Sequence, residues 1–181
     1  NIETADEGSF DVVVTGTCSS STSTAATLAV DDKLTLGTSP SPVTQCEGTT
    51  AVFTVSANGT GPVSYQWRKG GINLSDGGNT SGVNTSSLSI SGITNTDEGS
   101  YDVIVTGLCG SITSTPVLLT VNDNVVITVQ PADLNKCEGT TATFTVTATG
   151  TGMTYQWRKN GSTLSDGGDI SGALSPILSI S

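Results

Sequence analysis

The sequence predicts an all-β protein made of tandem β-sandwiches, and three observations support this prediction. The chain of 181 residues is rich in Thr, Ser, Gly and Val, which favour strands and turns over helices. Apolar and polar residues alternate with a period of two in several segments, and clusters of Gly, Asn, Asp and Ser separate these segments. The chain also repeats itself about every ninety residues.

The internal repeat sets the domain organisation. Residues 46–50 (CEGTT) recur as residues 137–141, which lie 91 positions later. Residues 6–11 (DEGSFD) return with one change as residues 97–102 (DEGSYD), again 91 positions later. A period of this length is typical of an array of similar structural units.

Strands can be placed within the repeat from the alternation. Residues 50–57 (TAVFTVSA), 100–106 (SYDVIVT) and 113–121 show the period-two pattern, and no segment has apolar residues at helical spacing. About seven short strands per repeat, with turns at intervals of about 8–12 residues, are typical of a β-sandwich.

The order of the motifs resembles the immunoglobulin-like fold. A turn at Glu47 and Gly48 comes before the expected strand B, and Trp67 stands where the core tryptophan of strand C belongs. Residues 97–103 resemble the D-x-G-x-Y-x-C signature that leads into strand F. The resemblance implies that Tyr101 makes the tyrosine corner of that fold.

The same resemblance implies a core without the antibody disulfide. Val55 and Val103 occupy the positions of the two cysteines that join the sheets in antibody domains, so we expect an aliphatic pair under Trp67. Trp157 holds the equivalent core position in the last repeat, where the segment YQWRK recurs. Phe10 replaces the corner tyrosine in the first repeat, which should therefore lack that hydroxyl contact.

The resemblance covers the whole chain and divides it into three parts. We expect residues 1–36 to supply only strands F and G of one repeat, residues 37–123 to form a complete repeat, and residues 124–181 to supply strands A to E of a third. Short linkers are expected at residues 31–42 and 122–126. The fold prediction is thus tandem immunoglobulin-like β-sandwiches, one complete and two half domains at the termini, within a longer or processed polypeptide.

The wording of the repeat (C-E-G, then Y-Q-W, then D-E-G-S-Y-D-V) is similar to that of immunoglobulin-like repeats in very large surface proteins of the Bacteroidota. In that group such arrays form adhesins, stalks and filaments, often exported by the type IX pathway. The resemblance implies an extracellular location on a bacterial cell surface and a structural role as a filament or stalk. The alternative is an adhesive module whose loops recognise glycan or protein, although near-identical repeats favour a spacer.

Four cysteines fall at equivalent points of the repeat. Cys46 and Cys137 precede strand B, and Cys18 and Cys109 follow strand F. There is no C-x-x-C motif and no histidine, which argues against a zinc site, whereas cysteines in a secreted β-domain indicate disulfides.

Strand lengths argue against the simple pairing of Cys46 with Cys109, because a disulfide needs Cα atoms within roughly 7 Å. We expect instead that the cysteines join consecutive domains. Cys46 would pair with the F–G cysteine of the following repeat, which Cys18 of another copy could supply, and Cys137 would reach the Cys109 position of a later unit. Intradomain pairs and free thiols remain the alternatives.

Charge excludes several partners. The formal net charge is −10 with no histidine, so nucleic acid and anionic membrane surfaces are unsuitable partners, and no apolar run is long enough for membrane insertion. Residues 68–69 and 158–159 carry four of the six cations. We interpret them as solvated residues that protect a strand edge, with a repeated ligand-binding stripe as the alternative.

No residues indicate an enzyme, a cofactor or a metal. Serine and threonine are plentiful, but no histidine is present to activate them. The carboxylates at Asp76, Asp97, Asp166 and Asp169 are expected to cap turns, with a calcium site as a weaker alternative. The expected partners are therefore neighbouring copies or repeats, stacked head to tail, with glycan or protein bound through other regions.

The two incomplete ends allow three arrangements. In the first, the chain is cut from one long continuous array. In the second, separate subunits polymerise when residues 1–30 of one copy add strands F and G to residues 124–181 of the next. The third arrangement, in which both ends close within one chain, requires a long return past a whole domain and is the least favoured.

Overall fold

The computed structural model describes all 181 residues and contains 22 strands and two 3₁₀ turns, Thr4–Asp6 and Asn95–Asp97. The N-terminal strands are β1 Gly8–Phe10, β2 Val13–Thr15, β3 Ser20–Thr22 and β4 Ala26–Leu28. The central strands are β5 Thr35–Thr38, β6 Val43–Cys46, β7 Ala51–Thr54, β8 Ser56–Asn58, β9 Ser64–Lys69, β10 Ile72–Asn73, β11 Thr80–Ser81, β12 Ser87–Ile90, β13 Gly99–Gly107, β14 Gly110–Thr113 and β15 Val117–Asn122. The C-terminal strands are β16 Val126–Val129, β17 Ala142–Thr145, β18 Thr147–Thr149, β19 Arg158–Lys159, β20 Ser162–Thr163, β21 Ile170–Ser171 and β22 Ile177–Ile180.

The central strands form a complete sandwich. One sheet has the order β10-β9-β13-β15-β6, with β14 also paired to β13, and a second sheet has the order β11-β12-β7. A further antiparallel pair joins β5 and β8. Consecutive antiparallel strands with alternating burial, as in β7 and β15, place one face of each sheet in the core.

The core of the central sandwich is built on aromatic residues. Trp67 on β9 is fully buried, and the ring of Phe53 lies 6.1 Å from it and 5.0 Å from the ring of Tyr101. The Trp67 indole N–H donates to the Thr85 carbonyl at 2.9 Å, so its one polar group is satisfied. Burial of side chains of this size supplies much of the free energy that holds the two sheets together.

The N-terminal strands reproduce part of this sandwich. β1 pairs with β4, and β2 pairs with β3, both antiparallel. The register pairs Gly8 with Leu28, just as Gly99 of β13 pairs with Leu119 of β15. These four strands therefore form the F–G part of a sandwich, and almost all of their residues are exposed.

The C-terminal strands reproduce the remaining part. They form the pairs β16–β18 and β19–β20 and the sheet β17-β22-β21. Residues 154–157, which correspond to the first four residues of β9, form no strand because the chain offers them no partner equivalent to β13. The prediction of one complete and two partial immunoglobulin-like sandwiches is confirmed at the level of fold.

One sequence-based expectation about the linkers is wrong. Residues 31–42 contain β5, which pairs with β8, and Leu34 is buried. The chain divides into two compact units. The first comprises Asn1–Val43, Thr50–Ser91 and Glu98–Leu119, and the second comprises Thr44–Thr49, Gly92–Asp97 and Thr120–Ser181.

Candidate functional site

Strands β9 and β13 of the central sandwich are joined by a side-chain ion pair. Asp102 lies directly opposite Arg68 in the strand register. The guanidinium donates two hydrogen bonds to the carboxylate, Nε to Oδ1 at 2.6 Å and Nη2 to Oδ2 at 2.9 Å. This bidentate geometry fixes the register of the two strands, and the hydrogen bond to Asp102 raises the pKa of Arg68 above its ordinary value.

Lys69 also contacts β13. Its ammonium group lies 5.7 Å from the centre of the Tyr101 ring, within the range of a cation–π interaction. The interpretation of Arg68 and Lys69 as solvated edge residues is therefore wrong in the central sandwich, because both bind side chains of the neighbouring strand. A side chain that points outward from a strand can therefore be held by a partner directly opposite on the adjacent strand.

The equivalent residues of the two terminal parts have no such contacts. Arg158 and Lys159 correspond to Arg68 and Lys69, and both are exposed. Asp11 and Phe10 correspond to Asp102 and Tyr101, and both are also exposed. The C-terminal part thus carries the cations of this interaction, and the N-terminal part carries the residues equivalent to their partners.

The C-terminal part has an open apolar cavity of ≈ 320 Å³ beside Trp157. Its apolar lining includes Val125, Ile127, Val146, Met153, Tyr155 and Trp157. A second cavity, of ≈ 470 Å³, lies beside the same tryptophan and is lined in part by Phe144, Arg158 and Leu178. The two cavities border residues 154–159, which correspond to β9 of the central sandwich.

The two cysteines before strand B lie in identical turns. The Thr49 N–H donates to the Cys46 carbonyl at 3.2 Å, and the Thr49 hydroxyl donates to the same oxygen at 2.7 Å. Gly48 has a φ of +82°, which favours glycine at the third position of such a turn. Cys137 and Thr140 repeat both hydrogen bonds with the same distances.

The other two cysteines lie at the tips of the F–G hairpins. Cys109 follows β13 and Cys18 follows β2, each in a tight turn that exposes the thiol. The Cys109 thiol donates to the Asp31 carbonyl, with an S···O distance of 3.5 Å. Asp31 corresponds by the 91-residue repeat to Asn122.

A second contact converges on that equivalent carbonyl. The Glu47 N–H, in the residue directly after Cys46, donates to the Asn122 carbonyl at 2.9 Å. The Asn124 side-chain amide donates to the Glu47 carbonyl at 3.2 Å. The turn that carries Cys46 is therefore held against the segment that leads into the C-terminal part of the chain.

All four cysteines are free thiols, and all four are exposed. No disulfide is present within the chain, and the expected bonds between consecutive domains of different copies stay a prediction.

The carboxylates that offered a calcium site serve as turn caps. Asp76 Oδ1 accepts a hydrogen bond from the Val83 N–H at 3.0 Å, and Asp166 Oδ1 accepts one from the Ala173 N–H at 2.7 Å. No cluster of three or more potential metal ligands is present. These carboxylates therefore stabilise the loop before strand E in both copies.

The residues expected to form the core differ in burial between the two repeats. Trp67, Tyr101, Val55 and Val103 are all buried in the central sandwich. Trp157 is only half-buried, although its indole N–H donates to the Ser175 carbonyl at 2.9 Å, as Trp67 does to its equivalent. The ion pair of Asp102 with Arg68 cannot be read from the sequence alone. The one indication is that both residues recur at equivalent positions of the repeat, as Asp11 and Arg158.

Comparison with known proteins agrees with this architecture. Residues 33–106 match the model of a family described as immunoglobulin domain. The chain is also similar to a titin fragment of three domains, I67–I69, with a TM-score of 0.67 and 18% identity over 99% of this chain and 65% of that one. Domains 1–5 of Sidekick-1 give a TM-score of 0.63 and 19% identity over 99% of this chain and 41% of that one.

The extracellular domains 3–5 of Drosophila OTK are a third similar structure, with a TM-score of 0.61 and 20% identity over 99% of this chain and 62% of that one. At these identities the likeness shows the fold alone. The chain spans less than two thirds of the length of these structures. The class of protein is thus a tandem array of immunoglobulin-like domains.

Proposed function

We propose that the chain is a structural segment of an extracellular filament or stalk on a bacterial cell surface. Its immunoglobulin-like domains stack head to tail, and disulfides join consecutive domains. The near-identical repeats support a spacer, because a spacer needs the same unit many times. The similarity in wording to bacterial surface repeats supports the location, and the structure contains no helix with the length and apolar character needed to cross a bilayer.

The disulfide cross-link is supported by the shared position of two contacts. Cys109 binds the carbonyl of Asp31, and the residue after Cys46 binds the carbonyl of Asn122, which is one repeat later. In the following repeat, the cysteine equivalent to Cys109 would bind the Asn122 carbonyl. That cysteine and the residue after Cys46 would then contact the same oxygen atom, which would bring the two cysteines close together.

This arrangement suits a rod under load. A disulfide at each junction would bridge the few residues between consecutive sandwiches, so tension would pass through the bond rather than extend the linker. The four cysteines of a chain would all be used, since Cys46 faces a Cys18 position and Cys137 faces a Cys109 position. An oxidising extracellular compartment would allow these bonds to form and persist.

We also propose that the chain has no catalytic activity. The chain has no histidine, its clustered carboxylates cap turns, and its cavities lie where a strand of the sandwich belongs. The competing function is an adhesive module that recognises glycan or protein through its loops. The loops that differ between repeats, at residues 72–86 and 162–175, are the surface on which such recognition would depend.

A tandem of two copies, joined from Ser181 to Asn1, tests the cross-link directly. These two residues correspond to Ser91 and Gly92, so the junction preserves the repeat. After oxidation and non-reducing peptide mapping, we expect Cys46 of the first copy bonded to Cys18 of the second. A Cys46→Ser tandem is the control, and it should retain the bond between Cys137 and the Cys109 of the second copy.

Two results would contradict the structural proposal. A bond between Cys46 and Cys109 of the same copy would remove the inter-domain cross-link. Binding of the tandem to a glycan array, lost on substitution within residues 72–86, would favour the adhesive module instead.

A further inference from the structure

Residues 122–125, which we call the joint segment, connect the central sandwich to the C-terminal part of the chain. The turn before β7 binds this segment twice. The Glu47 N–H donates to the Asn122 carbonyl at 2.9 Å, and the Asn124 side-chain amide donates to the Glu47 carbonyl at 3.2 Å. One residue of the turn is therefore held to the joint segment through both its donor and its acceptor.

A second loop of the central sandwich binds the joint segment between these two points. Asn95 lies in the 3₁₀ turn before β13, and its side-chain amide donates to Asp123 Oδ1 at 2.7 Å. A hydrogen bond to a carboxylate is stronger than one between neutral groups. Residues 122–124 are thus each hydrogen-bonded to a loop of the preceding repeat.

The loop after β18 binds the joint segment from the side of the following repeat. The Asp123 N–H donates to the Thr151 hydroxyl at 2.9 Å, and the Thr151 N–H donates to the Asp123 carbonyl at 3.2 Å. A Cβ added to Gly150 would lie 2.9 Å from the Cα of Val125, so this loop lies directly against the backbone of the joint segment. Asp123 therefore binds one repeat through its backbone and the other through its carboxylate.

The contact with the following repeat is present at both junctions of the chain. Asp32 and Thr60 correspond by the repeat to Asp123 and Thr151. The Asp32 N–H donates to the Thr60 hydroxyl at 2.8 Å, as Asp123 does to Thr151. This half of the junction is therefore a feature of the repeat.

The contact with the preceding repeat depends on two carboxamides that the repeat does not keep. One repeat earlier, the positions of Asn95 and Asn124 carry Thr4 and Lys33. A threonine side chain is shorter than a carboxamide and has no amide donor, and a lysine side chain is long and flexible. The two asparagines are therefore specific to the junction at the joint segment.

We propose that the joint segment is a rigid joint, in which Asn95 and Asn124 fix the direction of the chain as it leaves the central sandwich. A flexible linker rotates freely about φ and ψ, whereas hydrogen bonds to loops on both sides restrict that rotation here. Two loops of the central sandwich, residues 44–49 and 92–97, also fall in the same compact unit as residues 120–181. The inference goes beyond the proposed filament, because it concerns a reduced chain and needs no disulfide.

The joint holds through several weak bonds rather than one strong bond. Asn95, Asp123 and Asn124 are all exposed, so water competes for each hydrogen bond. Each bond that forms keeps the neighbouring groups in place for the next, because all of them converge on a few consecutive residues. Loss of either carboxamide should therefore open the joint measurably without unfolding the sandwich.

Amide hydrogen exchange in the reduced, full-length chain measures this opening residue by residue. In Asn95→Ala and in Asn124→Ala, we expect the Asp123 amide to exchange about 2- to 12-fold faster, as loss of one hydrogen bond predicts. The double variant should exchange faster still. The Trp67 amide, which donates to the Val83 carbonyl inside the central sandwich, should keep its protection in all three variants.

Residual dipolar couplings in the same chain measure whether the joint is rigid. β9 and β13 report the alignment of the central sandwich, and β17 and β22 report that of the C-terminal part. In the unchanged chain, one alignment tensor should fit both sets of couplings. In the double variant, the couplings of β17 and β22 should become smaller, because motion about the joint averages them.

Two further variants control the experiment. Asn84 is exposed, and its side-chain amide donates to the Tyr65 carbonyl at 3.1 Å, within the central sandwich. Asn84→Ala removes the same kind of hydrogen bond away from the joint, so it should leave the Asp123 exchange rate and the common alignment unchanged. Thr151→Val removes the hydroxyl acceptor with little change of shape, and it should loosen the joint from the other side.

Two results would overturn the inference. In one, the unchanged chain needs separate alignment tensors for its central and C-terminal strands. In the other, Asn95→Ala, Asn124→Ala and Thr151→Val all keep the exchange rates and couplings of the unchanged chain. A common alignment in a tandem that fails to form its bond from Cys46 to Cys18 would support the joint and contradict only the proposed cross-link.

Discussion

The central and C-terminal sandwiches contain the same strand C sequence in different surroundings. Trp67 and Trp157 both lie in the segment YQWRK, both donate to a carbonyl at 2.9 Å, and each has a phenylalanine ring about 6 Å away, at 6.1 Å and 6.2 Å. Yet Trp67 is fully buried, whereas Trp157 is only half-buried. Local sequence therefore sets the geometry around the tryptophan, and strands F and G determine its exposure.

The difference extends to backbone structure. β9 has six residues because β13 pairs with them, whereas only Arg158–Lys159 form a strand in the C-terminal copy. Strand β6 (Val43–Cys46) also has no counterpart at the equivalent residues 134–137. Strand structure thus depends on pairing with a neighbouring strand, and the same sequence does not form a strand when that neighbour is missing.

The largest difference in stability between the two sandwiches is expected when their tryptophans are truncated. Trp67→Ala removes a fully packed side chain and should destabilise the central sandwich by about 3–5 kcal/mol. Trp157→Ala should cost its own part of the chain only about 1–2 kcal/mol, because this side chain is already partly exposed to water. Urea unfolding followed by residue-resolved NMR, under reducing and dissociating conditions, measures both. Equal costs would show that the open copy is packed as well as the closed one.

A second test compares the two F strands. Val103→Ala should destabilise the central sandwich by about 2 kcal/mol, because it leaves a cavity beside Trp67. Val12→Ala in the N-terminal hairpins should change the stability of the isolated chain by less than about 0.5 kcal/mol, as expected for an exposed side chain. The same unfolding experiment reports both values. A large effect of Val12→Ala in the monomer would mean that its face is already covered.

The smallest difference in stability is expected at two equivalent glycines, Gly82 in the central sandwich and Gly172 in the C-terminal one. A Cβ at Gly82 would overlap the Ser87 carbonyl oxygen, and one at Gly172 would overlap that of Ile177. Both glycines have a positive φ, +80° and +81°, so each Gly→Ala change should cost about 1–2 kcal/mol or more. The two costs should be equal, because the turn is local and does not depend on strands F and G. Gly48→Ala, where no atom lies within 4 Å, is the control for backbone strain alone.

These contrasts also show what the sequence could predict. The period, the alternation and the motif order were sufficient for the fold class, because each reports a local preference that recurs in every repeat. The role of Arg68 does not follow from the sequence, because alternation shows which side chains point outward but not which of them bind a residue on the next strand. The strand β5 is not evident from the sequence, because residues 35–38 have few apolar residues and include a glycine.

The cysteines illustrate a similar limit. Their equivalent positions in the repeat follow from the sequence, but the contact of Cys109 with Asp31 and that of Glu47 with Asn122 needed a structure. These two contacts, related by one repeat, are the observations that support the proposed cross-link. The pairing itself remains a proposal that the oxidised tandem tests.

Trp157 itself gives the most direct test of whether a second copy completes its sandwich. The chain has two tryptophans, so incorporation of 5-fluorotryptophan gives two ¹⁹F signals, which a Trp157→Phe variant assigns. At low concentration, the Trp157 signal should respond strongly to a soluble paramagnetic quencher while the Trp67 signal does not. In the tandem of two copies, the Trp157 signal of the first copy should become as protected as that of Trp67. If the Trp157 signal of the first copy stays accessible in the tandem, the following repeat does not complete its sandwich and the account is contradicted.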